Sequence, residues 1–160
     1  MNGATNGMGP VWLLTIAALV LGIALSLTYF FAEENPTEMS ASRLDRGRAI
    51  YMASCASCHG ARLEGQPDWK TRSPTGRLRA PPHDASGHTW HHPDSLLFRI
   101  TKEGPAAVVG GGYESDMPGF ADVLLDSDIM AVLDFIKSTW PERERRYQAE
   151  VSRQETDARR

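Results

Sequence analysis

The sequence predicts a helical protein, because its regular apolar patterns have the period of a helix and one long stretch carries no charge. At 160 residues the chain holds one small domain with appendages. Its net charge of −3 argues against nucleic-acid binding. The predicted divisions are a disordered lead, a membrane anchor, a linker, a helical domain and a polar tail: residues 1–10, 11–31, 32–42, 43–140 and 141–160.

The uncharged stretch at residues 11–31 is 21 residues long, close to the roughly 20 apolar residues that span a bilayer as a helix. Trp12 at one end and Tyr29 to Phe31 at the other suit the two membrane interfaces. The alternative is a cleaved signal peptide, whose apolar core is about 7–15 residues long and follows a basic start. This stretch is longer and has no basic start, so we expect an uncleaved transmembrane helix.

Three further helices are predicted from apolar spacing, at residues 43–57, 93–103 and 127–139. Ser40 or Ser42 is expected to cap the first helix, and Asp126 the last. Gly104 should end the second helix, and the Gly-rich segment 104–112 is expected to be flexible.

The pentapeptide CASCH, with Cys55, Cys58 and His59, has the attachment signature of a c-type haem. Thiols three residues apart lie about one helical turn apart, so both can reach the two vinyl groups on one porphyrin edge. The imidazole then stands under the iron. A Cys-x-x-Cys pair alone is also compatible with a redox disulfide, with part of a zinc site, or with two buried free cysteines. No βαβ pattern of the thioredoxin kind surrounds it.

Met117 is the candidate for the second axial ligand, because it lies in a loop marked by Pro118 and Gly119. The other five methionines lie before or just after the anchor, on the cysteine helix, or on an apolar helix face. The alternative for Met117 is an ordinary surface methionine in a loop.

Three stretches together resemble the class I monohaem cytochromes c: GRAIYMASCASCHG, DMPGF and the helix DIMAVLDFIKSTW. The resemblance covers about residues 44–140. It implies a compact all-α fold around one covalent haem c, His59/Met117 ligation and one-electron transfer rather than enzymatic activity. It also implies that Gly47 and Tyr51 pack on the last helix, and that Pro81 or Pro82 offers its carbonyl to the His59 ring.

Four histidines remain outside the CASCH motif: His83, His88, His91 and His92. The last three permit a second metal, or a histidine replacing Met117 at the iron. The alternative is a polar loop whose rings bond locally. Trp69, in the preceding loop, either covers the porphyrin edge or anchors that loop.

Charge is unevenly distributed along the domain. Residues 61–79 contain five Lys or Arg, whereas none occurs between Lys102 and Lys137. We therefore expect an acidic methionine side. A redox partner docking there would present a basic patch to Glu114, Asp116 and Asp122.

The resulting expectation is a single-pass protein of the inner membrane whose haem domain lies in the periplasm. In the resembling family, haem is attached outside the bacterial cytoplasm. Such a protein would carry electrons between respiratory or photosynthetic membrane complexes. The alternatives are a fixed subunit of a larger electron-transfer complex and a ligand-binding or sensing haem protein. The polar tail is expected to be a solvated helix or a frayed end.

Overall fold

The computed structural model describes residues 12, 14–16, 18–23 and 36–160, without the side chains of residues 36, 37 and 39. From residue 36 onward the regular structure is helical, with irregular loops at residues 60–88 and 110–125. In the described residues the only β-type pairing is one isolated bridge between Arg72 and Leu78. The helices are α1 (Pro36–Ser54), α2 (Ala56–His59), α3 (Asp94–Glu103), α4 (Pro105–Val109), α5 (Asp126–Ser138) and α6 (Glu142–Ala158), with a 3₁₀ turn at Thr89–His91.

The chain forms two compact units, Met1–Glu38 and Met39–Arg160. In the first unit, residues 12, 14–16 and 18–23 are helical. The rest of the predicted anchor, at residues 11, 13, 17 and 24–31, lies outside the described residues, as do the lead and residues 32–35. Within the part that is described, no helix is both long and apolar enough to cross a membrane.

The core of the second unit forms where α1 crosses α5. Tyr51 of α1 is fully buried, together with Val132 and Ile136 of α5, Leu63 and Trp140. A second cluster joins α3 to α5 through Leu97, Ile129 and Leu133. The two clusters place α5 at the centre of the domain, as its stripe of apolar residues predicts.

Gly47 permits the close crossing of α1 and α5. A Cβ atom at this position would collide with the backbone carbonyl of Ala131 and touch Cβ of Phe135. The ring of Phe135 in turn lies 5.6 Å from that of Tyr51. The packing of Gly47 and Tyr51 on the last helix of the core, which the resemblance implied, is therefore confirmed.

Helix boundaries differ from the predictions at three places. Helix α1 begins at Pro36, earlier than predicted, because Pro suits a first helical turn and no Gly or Pro follows it before Gly47. Asp126 does not cap α5: Leu125 holds the cap position, and the Asp126 carboxylate lies 2.7 Å from Nζ of Lys102. Part of the segment predicted to be flexible is helix α4, with Pro105 at its start.

The predicted polar tail is helix α6, and one of its faces is buried through polar contacts. Gln148 is only 3% exposed, and its amide nitrogen lies 2.8 Å from a carboxylate oxygen of Asp94 and 3.3 Å from the carbonyl of His92. Ser152 accepts a hydrogen bond from the backbone N–H of Asp94. These contacts hold α6 against the start of α3.

Candidate functional site

The two cysteines lie at the junction of α1 and α2. The backbone N–H of Cys55 continues the α1 ladder to Tyr51, and the N–H of His59 bonds the carbonyl of Cys55 at 3.0 Å. Both thiols are free, with Cys55 partly buried and Cys58 exposed. The two cysteine sulfurs and the His59 imidazole therefore lie within about one helical turn of each other in the chain.

Burial, with a smaller contribution from Cys58, raises the pKa of the Cys55 thiol to about 11. Redox-active cysteines of the thioredoxin kind need a lowered thiol pKa, because the thiolate is the attacking form. The environment of Cys55 therefore argues against a catalytic disulfide. Among the described residues, no group of three or more His, Cys, Asp or Glu side chains is placed to hold a metal ion.

His59 is buried, at 6% exposure, and one ring nitrogen is already used. Its Nδ1 lies 2.8 Å from the backbone carbonyl of Pro81, which can only accept, so Nδ1 carries the proton and donates it. Nε2 is left with its lone pair available as a ligand. Of the two prolines predicted for this contact, the structure selects Pro81.

Burial lowers the pKa of His59, although the hydrogen bond to Pro81 acts in the opposite direction. The ring is therefore held in its neutral form, which is the form that binds a metal. The segment that carries Pro81 is itself fixed. Gln66 exchanges two hydrogen bonds with Ala80, one through its backbone N–H and one through its side-chain oxygen.

Gly65 permits this approach of the loops. Its φ of +69° lies in the left-handed region, and a Cβ atom there would collide with the backbone of Pro81 and Pro82. Its N–H also donates to the carbonyl of His59 at 2.7 Å. The turn after the CASCH motif is thus closed onto the segment that orients the His59 ring.

His83 is placed behind His59, a role that the sequence reasoning missed. The two rings stack with centroids 4.0 Å apart, and Nδ1 of His83 lies 2.8 Å from Oγ1 of Thr89. The indole N–H of Trp140 donates to the His83 carbonyl at 2.7 Å. Burial lowers the pKa of His83 well below its ordinary value, so the ring that stacks on His59 is neutral. The only signal in the sequence was its position two residues after Pro81.

The remaining histidines pack on aromatic rings. His88 stacks on Trp69 with centroids 5.2 Å apart, and His91 stacks on Trp90 at 3.7 Å. His92 meets His88 edge to face at 5.3 Å. This arrangement matches the local-bonding alternative for the cluster, and the stack on His88 ties the loop of Trp69 to the histidine segment.

Met117 is half-buried, in the loop between α4 and α5. Its backbone N–H donates to Oγ of Ser115 at 3.1 Å. Beyond it, the N–H of Phe120 bonds the carbonyls of Thr101 and Lys102 at the end of α3. The loop is therefore fixed to the domain on the side that follows Met117.

The expected separation of a basic loop from an acidic methionine side is wrong for two of the three acids. Arg77, from the basic loop, lies 3.3 Å from the carboxylate of Glu114 and 2.5 Å from that of Asp116. Contacts across such a distance in sequence cannot be seen in a charge pattern. The two charged loops therefore partly neutralise each other.

The donor set fits a covalent haem c: two free thiols in Cys-x-x-Cys spacing, and a neutral imidazole with one nitrogen left free by its bond to a backbone carbonyl. A comparison with protein families matches residues 44–140 to the cytochrome c family. No curated protein and no solved structure matches the chain. The family match spans more than half of the chain, from α1 through the end of the α5 segment, and on that ground the chain belongs to the cytochrome c family, whose covalently bound haem c serves electron transfer.

Proposed function

We propose that this protein is a membrane-tethered, periplasmic one-electron carrier of the class I monohaem type, ligated by His59 and Met117. It would pass electrons between respiratory or photosynthetic membrane complexes. The observation that carries the proposal is the fixed His59 ring, whose Nδ1–H is 2.8 Å from the Pro81 carbonyl within a haem-attachment motif. A ligand held in this way stays in place while the iron changes its charge.

Cys55 and Cys58 would hold the haem through two thioether bonds, and Nε2 of His59 would bind the iron. When bound, haem c supplies an iron that gains and loses one electron. The donation from His59 to a backbone carbonyl raises the basicity of the ligating nitrogen and fixes the ring plane. The stacked His83 ring limits rotation of His59 from behind.

Met117 would supply the sixth ligand through its thioether sulfur. A Met/His pair raises the reduction potential, which suits delivery of electrons to a strongly oxidising acceptor. Filling both axial positions also leaves no open site for a substrate, and this supports a carrier over a ligand-binding or sensing haem.

The tether is supported by the uncharged stretch at residues 11–31. Its large apolar side chains are exposed wherever they are described, as for Trp12, Leu14 and Leu19. A helix that is apolar on its exposed surface suits a lipid environment. The periplasmic location rests on the resemblance alone, since that family receives its haem outside the bacterial cytoplasm.

The test begins with denaturing gels of native membranes stained for haem peroxidase activity. The colour should stay at the mass of the chain, because thioether bonds survive denaturation, and Cys55→Ala with Cys58→Ala should remove it. Colour lost from the parent chain on denaturation would contradict covalent attachment. Protease added to spheroplasts should remove the haem domain if it lies in the periplasm. In mild detergent, a carrier should purify alone, whereas a fixed subunit would remain with a larger complex.

A further inference from the structure

Arg77 joins two loops that are distant in sequence. Its Nη1 donates to Oδ1 of Asp116 at 2.5 Å, and its Nε donates to Oε2 of Glu114 at 3.3 Å. Within residues 61–80 and 110–121, both fully described, these are the only hydrogen bonds or ion pairs that connect the two segments. One guanidinium therefore makes the whole polar connection between them.

One end of this connection lies in the segment that leads to Pro81, and the other directly precedes the predicted ligand Met117. Arg77 is four residues before Pro81, which orients His59. Its backbone carbonyl accepts the N–H of Ser73 at 2.8 Å, in a turn that is closed by the Arg72–Leu78 bridge. Asp116 directly precedes Met117 in the chain.

The part of the methionine loop that precedes Met117 has little else to hold it. Gly110, Gly111 and Gly112 all have positive φ values, between 59° and 80°. A Cβ atom added at any of them would meet nothing within 4 Å. Glycines in such open positions restrict the chain least. The loop is therefore fixed after Met117 by the Phe120 hydrogen bonds, and before Met117 by Arg77.

We propose that Arg77 is a positioning residue for Met117: it clasps the methionine loop to the loop that orients His59, and so keeps the thioether directed at the iron. This role rests on the proposed ligation by Met117. It also assigns Glu114 and Asp116 to an internal contact rather than to a docking surface. Glu114 and Asp116 are exposed and Arg77 partly so, which makes the clasp weak enough to release and sensitive to salt.

The test uses the full-length holoprotein and imidazole as the probe, because a neutral ligand replaces an axial methionine only when that methionine leaves the iron. Arg77→Gln should raise the rate of imidazole binding to the oxidised protein by about two- to fivefold, the range for losing an exposed ion pair. The matched control is Arg72→Gln in the same loop, since the side chain of Arg72 bonds only the carbonyl of Gly76. The control should bind imidazole at the parent rate.

Two further measurements make the test specific. Raising the salt concentration should accelerate imidazole binding to the parent protein and leave Arg77→Gln nearly unchanged. The charge-swapped pair Arg77→Asp with Asp116→Arg should return the rate toward that of the parent, which a general loss of stability would not do. Equal rates for Arg77→Gln and Arg72→Gln, or a parent rate that does not respond to salt, would overturn the clasp.

Met117→Ala separates failure of the clasp from failure of the proposed ligation. If Met117 is the ligand, this variant binds imidazole far faster than the parent and loses the far-red charge-transfer band of methionine-ligated ferric haem. A Met117→Ala variant that keeps the parent rate and band refutes the ligation and the clasp together. If Met117→Ala binds imidazole much faster than the parent but Arg77→Gln binds it at the parent rate, only the clasp is refuted.

Discussion

Replacing Gly47 by Ala tests the α1–α5 crossing, because helix propensity alone predicts a more stable protein whereas the close crossing predicts a less stable one. In an isolated helix, Ala is more favourable than Gly by about 1 kcal/mol. In the folded domain, the new Cβ atom would overlap the backbone carbonyl of Ala131, and it would also touch Cβ of Phe135. A backbone atom in the middle of α5 cannot turn aside as the end of a flexible side chain can.

The cost of overpacking a core is about 1–3 kcal/mol. The upper end applies here because the colliding atoms belong to two helices that must move apart as units. Subtracting the gain in helix propensity leaves a net destabilisation of about 2 kcal/mol. For a domain of this size, that loss lowers the unfolding temperature by roughly 10 °C.

The assay is thermal unfolding of the holoprotein, followed by far-ultraviolet circular dichroism. The control is Ala53→Gly, an exposed position on the same helix, which should lose only about 1 kcal/mol through helix propensity. A Gly47→Ala protein at least as stable as the parent would refute the crossing geometry, because propensity alone would then account for the result.

The other predictions concern the ligands, the support behind them and docking. Met117→Ala should lower the reduction potential and allow the reduced protein to bind carbon monoxide, as spectra would show; an unchanged potential would return the role to one of the histidines. Trp140→Phe should cost about 1–3 kcal/mol of stability in urea unfolding, because the part-buried His83 carbonyl loses its donor. A cost no larger than that of Trp90→Phe would count against this. Asp122→Asn should slow reduction by hexaammineruthenium, a cationic reductant, at low salt and much less at high salt, where charges are screened within about 8–10 Å; equal rates at low salt would place docking on another face.

Several features that depend on the local sequence pattern were predicted correctly. The helices at residues 93–103 and 127–139 are present within a residue of their predicted bounds, because apolar spacing and Gly104 determine them locally. The carbonyl that accepts the His59 hydrogen bond was predicted to belong to Pro81 or Pro82. The path of the backbone in the folded domain shows that it belongs to Pro81. The match over residues 44–140 confirms the resemblance at the level of the cytochrome c family.

The missed features that bear on the site and on α6 depend on contacts between distant parts of the chain. The buried face of α6 is polar, so the sequence has no apolar stripe from which its burial could be predicted. Gln148 is buried because Asp94 and the His92 carbonyl provide its hydrogen-bond partners. The stacking of His83 on His59 requires the turn at Gly65 to close. The pairing of Arg77 with Asp116 joins residues 39 positions apart. Patterns of hydrophobicity and charge carry no information about such pairings.

The two proposed ligands of the iron are supported in different ways, and the difference has a consequence for the carrier. On the His59 side, the support comes from the backbone carbonyl of Pro81, a stacked ring and the buried core around Tyr51 and Trp140. On the Met117 side, it comes from a glycine-led loop and an ion pair whose two carboxylates are each about two-thirds exposed. Local opening of a protein begins where buried contacts are fewest. Any perturbation of the holoprotein, by salt, by pH or by a competing ligand, should therefore release the methionine before the histidine. The potential of the proposed Met/His pair would then depend on whether the loop between α4 and α5 is intact, rather than on the core.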